Sequence, residues 1–257
     1  MLKPIEIARE LTEDSLRGLI NRSIDVIHVP GFYPRDLSAE FSDKVAGHGE
    51  LEAYKVQNAL KRLGMGYVDV GGDEENAERY HSVAQQSIWA IRDLVYPRMT
   101  PLDQFRLLLE EVWTPGASIQ VIEGKKSFVG TCRVIEPGAN MLPHNDRLAR
   151  MLKDGNSGLT GQLAVNIYLD MPPSGGDLEL WLSEPDAEQD KRQKTTDGLD
   201  RSELGEPRLV VSPGNGDLVL FNSLLIHCVS PGVGGRRVTM SCFVGYSGDD
   251  QPLTYWS

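Results

Sequence analysis

The chain is poor in cysteine, has no long apolar run, and is short of positive charge. Its three cysteines, Cys132, Cys228 and Cys242, form no C-x-x-C pair. They fall in expected core strands and read as buried, reduced thiols. No stretch approaches the roughly 18 apolar residues of a membrane span. No apolar segment of a secretory leader follows Met1 either. These absences lead to the expectation of a soluble, cytoplasmic protein. Lysine and arginine number 26 against 37 aspartates and glutamates, a net charge of −11. A nucleic-acid backbone is therefore not expected as the main partner, and an anionic membrane surface is disfavoured too. A local basic pocket inside the acidic shell stays compatible with this balance.

What is present suffices for a sizeable core: 40% of the 257 residues are hydrophobic. The length fits one large domain or two small ones, and no linker marks a boundary. The first part, about residues 1–116, reads mainly as helices. Residues 5–22 place Ile5, Leu11, Leu16, Leu19 and Ile20 among charges. Residues 24–29 are β-branched and short, hence a strand ended by Pro30 and Gly31. Residues 36–63 read as one or two helices, and 67–70 as a short extended piece between glycines. Residues 73–96 show helical spacing from Ala77 to Ile91, stopped by Pro97. Residues 102–113 form another expected helix.

From about 117 onward, short strand-like runs alternate with Gly and Pro: 118–123, 128–136, 162–169, 178–182, 209–211, 217–221 and 238–246. Such spacing suggests a sandwich or double-sheet barrel. Helices first and strands later suggests an α+β fold, a helical layer on a β core. The polar stretch 183–206 has eight carboxylates against four basic groups. It reads either as a solvated or disordered loop or as a lid over a substrate.

Two motifs carry the chemistry. The first is His144-Asn145-Asp146; the second is His227, with Arg237 ten residues on. His-x-Asp puts both side chains on one face of an extended segment. Two imidazoles and one carboxylate are the ligand set of a non-haem iron(II) centre with open positions. Arg237 and Thr239 share a strand face by the same alternation. A guanidinium fork matches a carboxylate, and a hydroxyl adds one hydrogen bond. His-x-Asp alone is a weak signal; the distal His followed by Arg237 and Thr239 sharpens it. Gly175, Gly176 and Asp177, like Pro213, Gly216 and Asp217, supply the strand-entry turns that a jelly roll needs.

In this motif order, over roughly residues 118–257, the chain resembles the Fe(II)/2-oxoglutarate-dependent dioxygenases. The resemblance implies a double-stranded β-helix, jelly-roll or cupin-like, in one domain spanning 1–257. It implies Fe(II) on His144, Asp146 and His227, with 2-oxoglutarate and O2 as co-substrates and Arg237 with Thr239 on the far carboxylate. A narrower likeness rests on residues 20–36, on Arg133 eleven residues before His144, and on the ending Tyr255-Trp256-Ser257. It is similar to a small-molecule group containing free-standing indole-alkaloid halogenases and N-acyl amino acid hydroxylases. In those halogenases a small residue stands where this chain has Asp146, and chloride takes the vacated place. The resemblance therefore implies hydroxylation of a free or derivatised amino acid. Desaturation, epimerisation and ring closure belong to the same chemistry.

Each candidate also has a plainer reading. A lone histidine is more often structural than a ligand, and Asp146 could cap a helix at 147–152. Arg236 and Arg237 are adjacent, so only one can point inward. Arg133, beside Cys132 and Val134, is either a surface residue or a contact to co-substrate or substrate. Asn166 either bonds the co-substrate or satisfies a neighbouring strand. Arg147 and Arg150 either hold an anionic substrate or form a solvated helix face, and Met65, Tyr67 and Trp89 either line a substrate pocket or pack in the core. The buried-looking Tyr255 and Trp256 suggest a docked tail. Two rival functions stand beside the hydroxylase: a prolyl-type protein hydroxylase, which needs an open groove, and a non-catalytic cupin-like metal-binding module, which has no need of a dicarboxylate clamp.

Overall fold

The computed structural model of the protein describes residues 3–54, 57–193, 196 and 198–257. Its strands are β1 Lys3–Ile7, β2 Ile24–Val29, β3 Glu52–Tyr54, β4 Gln57–Leu63, β5 Ala117–Ile119, β6 Val121–Ile122, β7 Lys125–Lys126 and β8 Thr131–Ile135. There follow β9 Gly161–Asp170, β10 Leu178–Leu180, β11 Leu209–Val211, β12 Leu218–Asn222, β13 His227–Val229, β14 Arg237–Tyr246 and β15 Leu253–Trp256. The helices are α1 Glu13–Ile20, α2 Arg35–Ala46, α3 Glu74–Asp93, α4 Pro101–Val112, α5 Ala187–Gln193 and α6 Arg201–Leu204.

Ten strands form one sheet along the path β1-β2-β12-β9-β14-β8-β4-β3, with β15 and β5 attached through β14. A second sheet has the order β11-β10-β13. This pair of facing sheets with helices on one side is the α+β jelly roll, a double-stranded β-helix, that the second half of the sequence suggests. Strand alternation sorts the two faces of the large sheet. Leu163, Val165, Ile167 and Leu169 of β9 and Val238, Met240, Cys242 and Val244 of β14 join the main core under α1, α2 and α4. The opposite phase, Ala164 and Tyr168 with Val219 and Phe221, packs against Leu178, Leu180 and Val211 of the small sheet. Both faces are thus covered, so the strands read as near-continuous apolar runs.

The helices obey local rules. Thr12, Asp73 and Thr100 cap α1, α3 and α4 by accepting a backbone N–H three residues on, and Pro101 opens α4 where a missing N–H costs nothing. Tyr255 and Trp256 are buried in β15, as the docked tail requires. The three cysteines are free and buried. Burial pushes the Cys132 thiol up to about 12 and the Cys228 thiol up to about 11. No helix among the described residues is long and apolar enough to cross a membrane.

Three expectations need correction. Residues 3–7 are strand, because Ile5 pairs in parallel with Val26 at the sheet edge and the helix starts only at Glu13. The helix expected to reach residue 63 ends at Ala46. The chain then turns into β3 and β4, with Leu60 opposite Ile135 and Arg62 opposite Arg133; Lys55 and Val56 lie outside the described residues. Tertiary pairing decides there over local pattern. Tyr67–Val70 is a 3-10 turn, held by the Gly66 N–H donating to the Asp69 carboxylate at 2.9 Å and released at Gly71, whose φ of 60° suits glycine.

One buried polar cluster ties the edge strands to the core. His28 Nε2 lies 2.7 Å from Asp217 Oδ2, and the N–H groups of Gly31 and Gly214 donate to the same carboxylate at 2.9 and 2.7 Å. Burial would raise the Asp217 carboxyl, but His28 and the two N–H groups outweigh it and hold it below the usual carboxylate range. A depressed folded pKa means that this stabilisation is present above the ordinary carboxylate range and lost as pH falls through the folded value. Asp217→Asn is expected to cost about 1–3 kcal/mol at neutral pH and to flatten the acid limb of the stability profile. Chemical denaturation at several pH values measures both; an unchanged acid limb would contradict the account.

Candidate active site

The metal-type ligands come from two places that the small sheet joins. His227 opens β13, and the loop before Asp146 runs antiparallel to it. The His144 N–H donates to His227 O at 2.9 Å, and the His227 N–H donates to His144 O at 2.8 Å. The Asp146 N–H donates to Ser223 O at 2.8 Å. One ligand atom from each of His144, Asp146 and His227 then lies within 4.8 Å of the others. Asp146 Oδ2 is 3.3 Å from His227 Nε2 and 4.0 Å from His144 Nε2.

Ring tautomers follow from the backbone. His144 Nδ1 is 2.8 Å from Leu142 O, and His227 Nδ1 is 2.8 Å from Leu225 O. A carbonyl only accepts, so each ring carries a proton on Nδ1 and directs Nε2 toward Asp146. Burial, and then the neighbouring His227, lower the His144 pKa, which keeps the ring neutral. Burial alone would raise the Asp146 carboxyl; the two imidazoles and Arg133 prevail and hold it ionised. Two imidazoles and one carboxylate on three sides of a small gap are a donor set suited to Fe(II).

The cluster sits in a cavity of about 850 Å³ between the sheets, a size in the range of small-molecule sites. Register places residues in and beside the cavity in rows across the large sheet. Arg62, Arg133, Thr239 and Tyr168 lie side by side, and Asn166 faces Ser241 one row away. Arg237 points inward with 5% exposure, while Arg236 turns out to Asp43 and Asp170. Among the described residues no carboxylate lies within ion-pair distance of Arg237, Asp177 acting on it only from farther off, and its Nε is buried without a hydrogen bond. Its guanidinium lies 5.0 Å from the Tyr168 ring centroid. Burial presses its pKa down, Tyr168 opposes this, and the like charge of Arg133 adds to it. A buried cation without an anion is costly; a carboxylate arriving from solution would complete it.

Arg133 is a cavity residue, not a surface one. It donates to the Tyr54 hydroxyl at 3.3 Å and to Ser241 Oγ. Asn166 faces the cavity, and its amide makes no protein hydrogen bond among the described residues. At the mouth, Arg62 pairs with Asp69 and Glu52, Arg79 pairs with Glu52, and Arg62 stacks over Tyr54.

Other sequence candidates fall elsewhere. Asp146 caps no helix; the 3-10 turn Leu148–Met151 begins after Arg147. Arg147 meets Glu184, and Arg150, its side chain only 8% exposed, pairs with Asp190 rather than standing on a solvated face. Met65 lines the cavity and Tyr67 is core, but Trp89 is exposed on α3. The cavity residues Tyr54, Asp69 and Ser241 carried no motif. Ser241 was findable, since alternation from Arg237 and Thr239 continues onto it; Tyr54 was hidden by the helical reading of its segment.

A jelly-roll core with this His/Asp/His cluster between its sheets defines a 2-oxoglutarate-dependent oxygenase that works with Fe(II) and O2. The chain belongs to the family described as the carrier-protein-independent halogenase WelO5, which matches residues 5–257. It is 27% identical, over 99% of its length and 96% of the relative's, to the L-gamma-glutamyl-L-propargylglycine hydroxylase of Streptantibioticus cattleyicolor. Its fold is similar to an N-substituted L-amino acid dioxygenase from Burkholderia ambifaria, with a TM-score of 0.65, 17% identity, and 95% of this chain and 91% of that one covered. The form of that protein in complex with alpha-KG gives a TM-score of 0.63 at 16% identity, covering 95% and 90%.

Loss of one donor should show directly in metal binding. Asp146→Ala is expected to weaken Co(II) binding by about 100-fold or more, beyond the effect usual for outer contacts. Titration followed by visible absorption measures this, and wild-type affinity in the variant would contradict the geometry.

Proposed function

We propose that the chain is an Fe(II)/2-oxoglutarate-dependent hydroxylase of an unactivated C–H bond in a small molecule, a free or derivatised amino acid. The observation that carries this reading is the buried Arg237, with no carboxylate in ion-pair reach among the described residues, in the same cavity as the His144/Asp146/His227 cluster. A passive metal-binding module has no use for that cation. In this reading His144 Nε2, His227 Nε2 and Asp146 hold iron. Arg237 and Thr239 take the far carboxylate of 2-oxoglutarate, and Arg133 and Asn166 complete its pocket. Residues 1–257 act as one domain in the cytoplasm, without nucleic acid or membrane as partner.

Held by His144, Asp146 and His227, Fe(II) with 2-oxoglutarate would supply the transfer of one atom of O2 to the C–H bond, the other entering succinate as CO2 is released. The chain's own task is placement. The Nδ1 protons fixed on Leu142 O and Leu225 O keep both imidazoles facing inward. Phe221, edge-on to the His227 ring at 4.8 Å between centroids, closes the apolar side and excludes water. Asp146 fills the third ligand place, which leaves no place for a halide and favours oxygen transfer over halogen transfer.

The substrate class rests on the likeness to the glutamyl-propargylglycine hydroxylase. It is also supported by a cavity whose mouth carries both charge signs, in Glu52, Arg62, Asp69 and Arg79, beside apolar Leu60, Met65 and Val68. Such a lining suits a molecule with a zwitterionic head and an apolar chain.

Incubation with Fe(II), 2-oxoglutarate, O2, chloride and a panel of acylated and γ-glutamylated amino acids tests the reading by product mass. A product heavier by one oxygen atom, with equimolar succinate, is expected. A chlorinated product, or turnover confined to intact proteins, would overturn it. Arg237→Lys keeps the charge but loses the fork. It is expected to raise the KM for 2-oxoglutarate about tenfold or more, with a smaller effect on kcat; an unchanged KM would remove Arg237 from the role.

A further inference from the structure

Among the described residues of 183–206, Asp190, Gln193 and Leu199 meet the ligand loop from its outer side. Within the described residues of this stretch, none lines the cavity. Asn145, between the two ligands His144 and Asp146, is 2% exposed. Its N–H donates to Gln193 Oε1, at the end of α5, at 3.0 Å. Arg150 donates to Asn145 O at 3.0 Å and to Asn145 Oδ1 at 2.6 Å, and is itself held by Asp190 of α5. Asn145 Nδ2 donates to Leu224 O at 3.1 Å. Every polar group of the residue between the ligands is therefore occupied.

A second grip lies just before His144. The Leu199 N–H donates to Pro143 O at 2.7 Å. A Cβ on Gly198 would come within 2.7 Å of that same oxygen and 2.5 Å of Leu142 Cβ, so only glycine permits the approach. Leu199 packs in one cluster with Ile226 and Cys228, the two neighbours of His227 in sequence.

We infer that α5 and the Gly198–Leu199 turn are a positioning element of the metal centre, fixing the ligand-bearing backbone from behind. The inference rests on the ligand assignment proposed above. Among the described residues, α5 holds the ligand-bearing loop through Asn145 and Arg150. Loosening it changes how well three donors converge, while the walls that meet co-substrate stay as they are. Contacts one layer out from a metal are commonly worth about 10–100-fold in affinity.

The test is anaerobic Co(II) titration of the full chain by visible absorption, followed by 2-oxoglutarate titration of the Co(II)-loaded protein. Gln193→Ala removes the acceptor, and its Co(II) Kd is expected to rise about tenfold. Gln193→Glu keeps an acceptor oxygen and is expected to bind Co(II) like wild type. The 2-oxoglutarate Kd at saturating Co(II) is expected to be the same in all three. Asp190→Asn, milder for folding, is expected to weaken Co(II) binding in the same direction. Unchanged Co(II) affinity in Gln193→Ala and Asp190→Asn, even with a lowered Tm, would reduce α5 to a structural role and overturn the inference. His227→Ala separates the two readings. If it binds Co(II) as wild type does, the ligand assignment fails and the inference falls with it. If it loses Co(II) while Gln193→Ala does not weaken it, the inference alone fails.

Discussion

Two reciprocal backbone hydrogen bonds between His144 and His227 are the constraint on which the site depends. They fasten an irregular loop to the small sheet at the one register that sets both imidazoles side by side, 4.6 Å between ring centroids. Asp146 follows two residues later and is brought to the same point by its own N–H on Ser223 O. Because these are main-chain bonds, the convergence does not rely on the side chains that must stay free to bind. Next to each ring, Leu142 O and Leu225 O fix the tautomer. Backbone thus sets both the position of the donor groups and which ring nitrogen is turned away from the cluster.

The second constraint is electrostatic. The shell of the protein is acidic, yet the cavity holds Arg62, Arg79, Arg133 and Arg237. The two at the mouth are matched by Glu52 and Asp69; Arg237 has no carboxylate within ion-pair distance among the described residues, Asp177 acting on it only from farther away. A fold optimised for stability alone would not retain a buried guanidinium without an anion. Its retention makes sense when a dicarboxylate completes it. The family is described by a halogenase; Asp146 is the residue on which the proposal of oxygen rather than halogen transfer rests.

The β half of the fold was legible because its strands are short, apolar and punctuated by glycine and proline. The triad was legible because period-two spacing and a distal histidine with its arginine form a joint signal that no single residue carries. The failures have physical causes. β1 and the β3–β4 hairpin have little intrinsic strand pattern and exist by pairing with β2 and β8. Tyr54 and Arg62 ride on that hairpin, so the cavity mouth was invisible with it. The acidic stretch 183–206 has the composition of a solvated loop, but its few apolar and amide groups, Leu199 and Gln193, find partners on the ligand loop. Residues 194, 195 and 197 of that stretch lie outside the described residues. Composition registers average polarity; it does not register where one amide oxygen points.

The central claim is that one cavity holds a metal and a 2-oxo dicarboxylate together. Anaerobic visible absorption of the metal-free protein, on adding Fe(II) and then 2-oxoglutarate, tests it most directly. The account predicts a weak charge-transfer band that needs both additions. Metal binding without any such band would contradict it and leave Arg237 without its proposed partner.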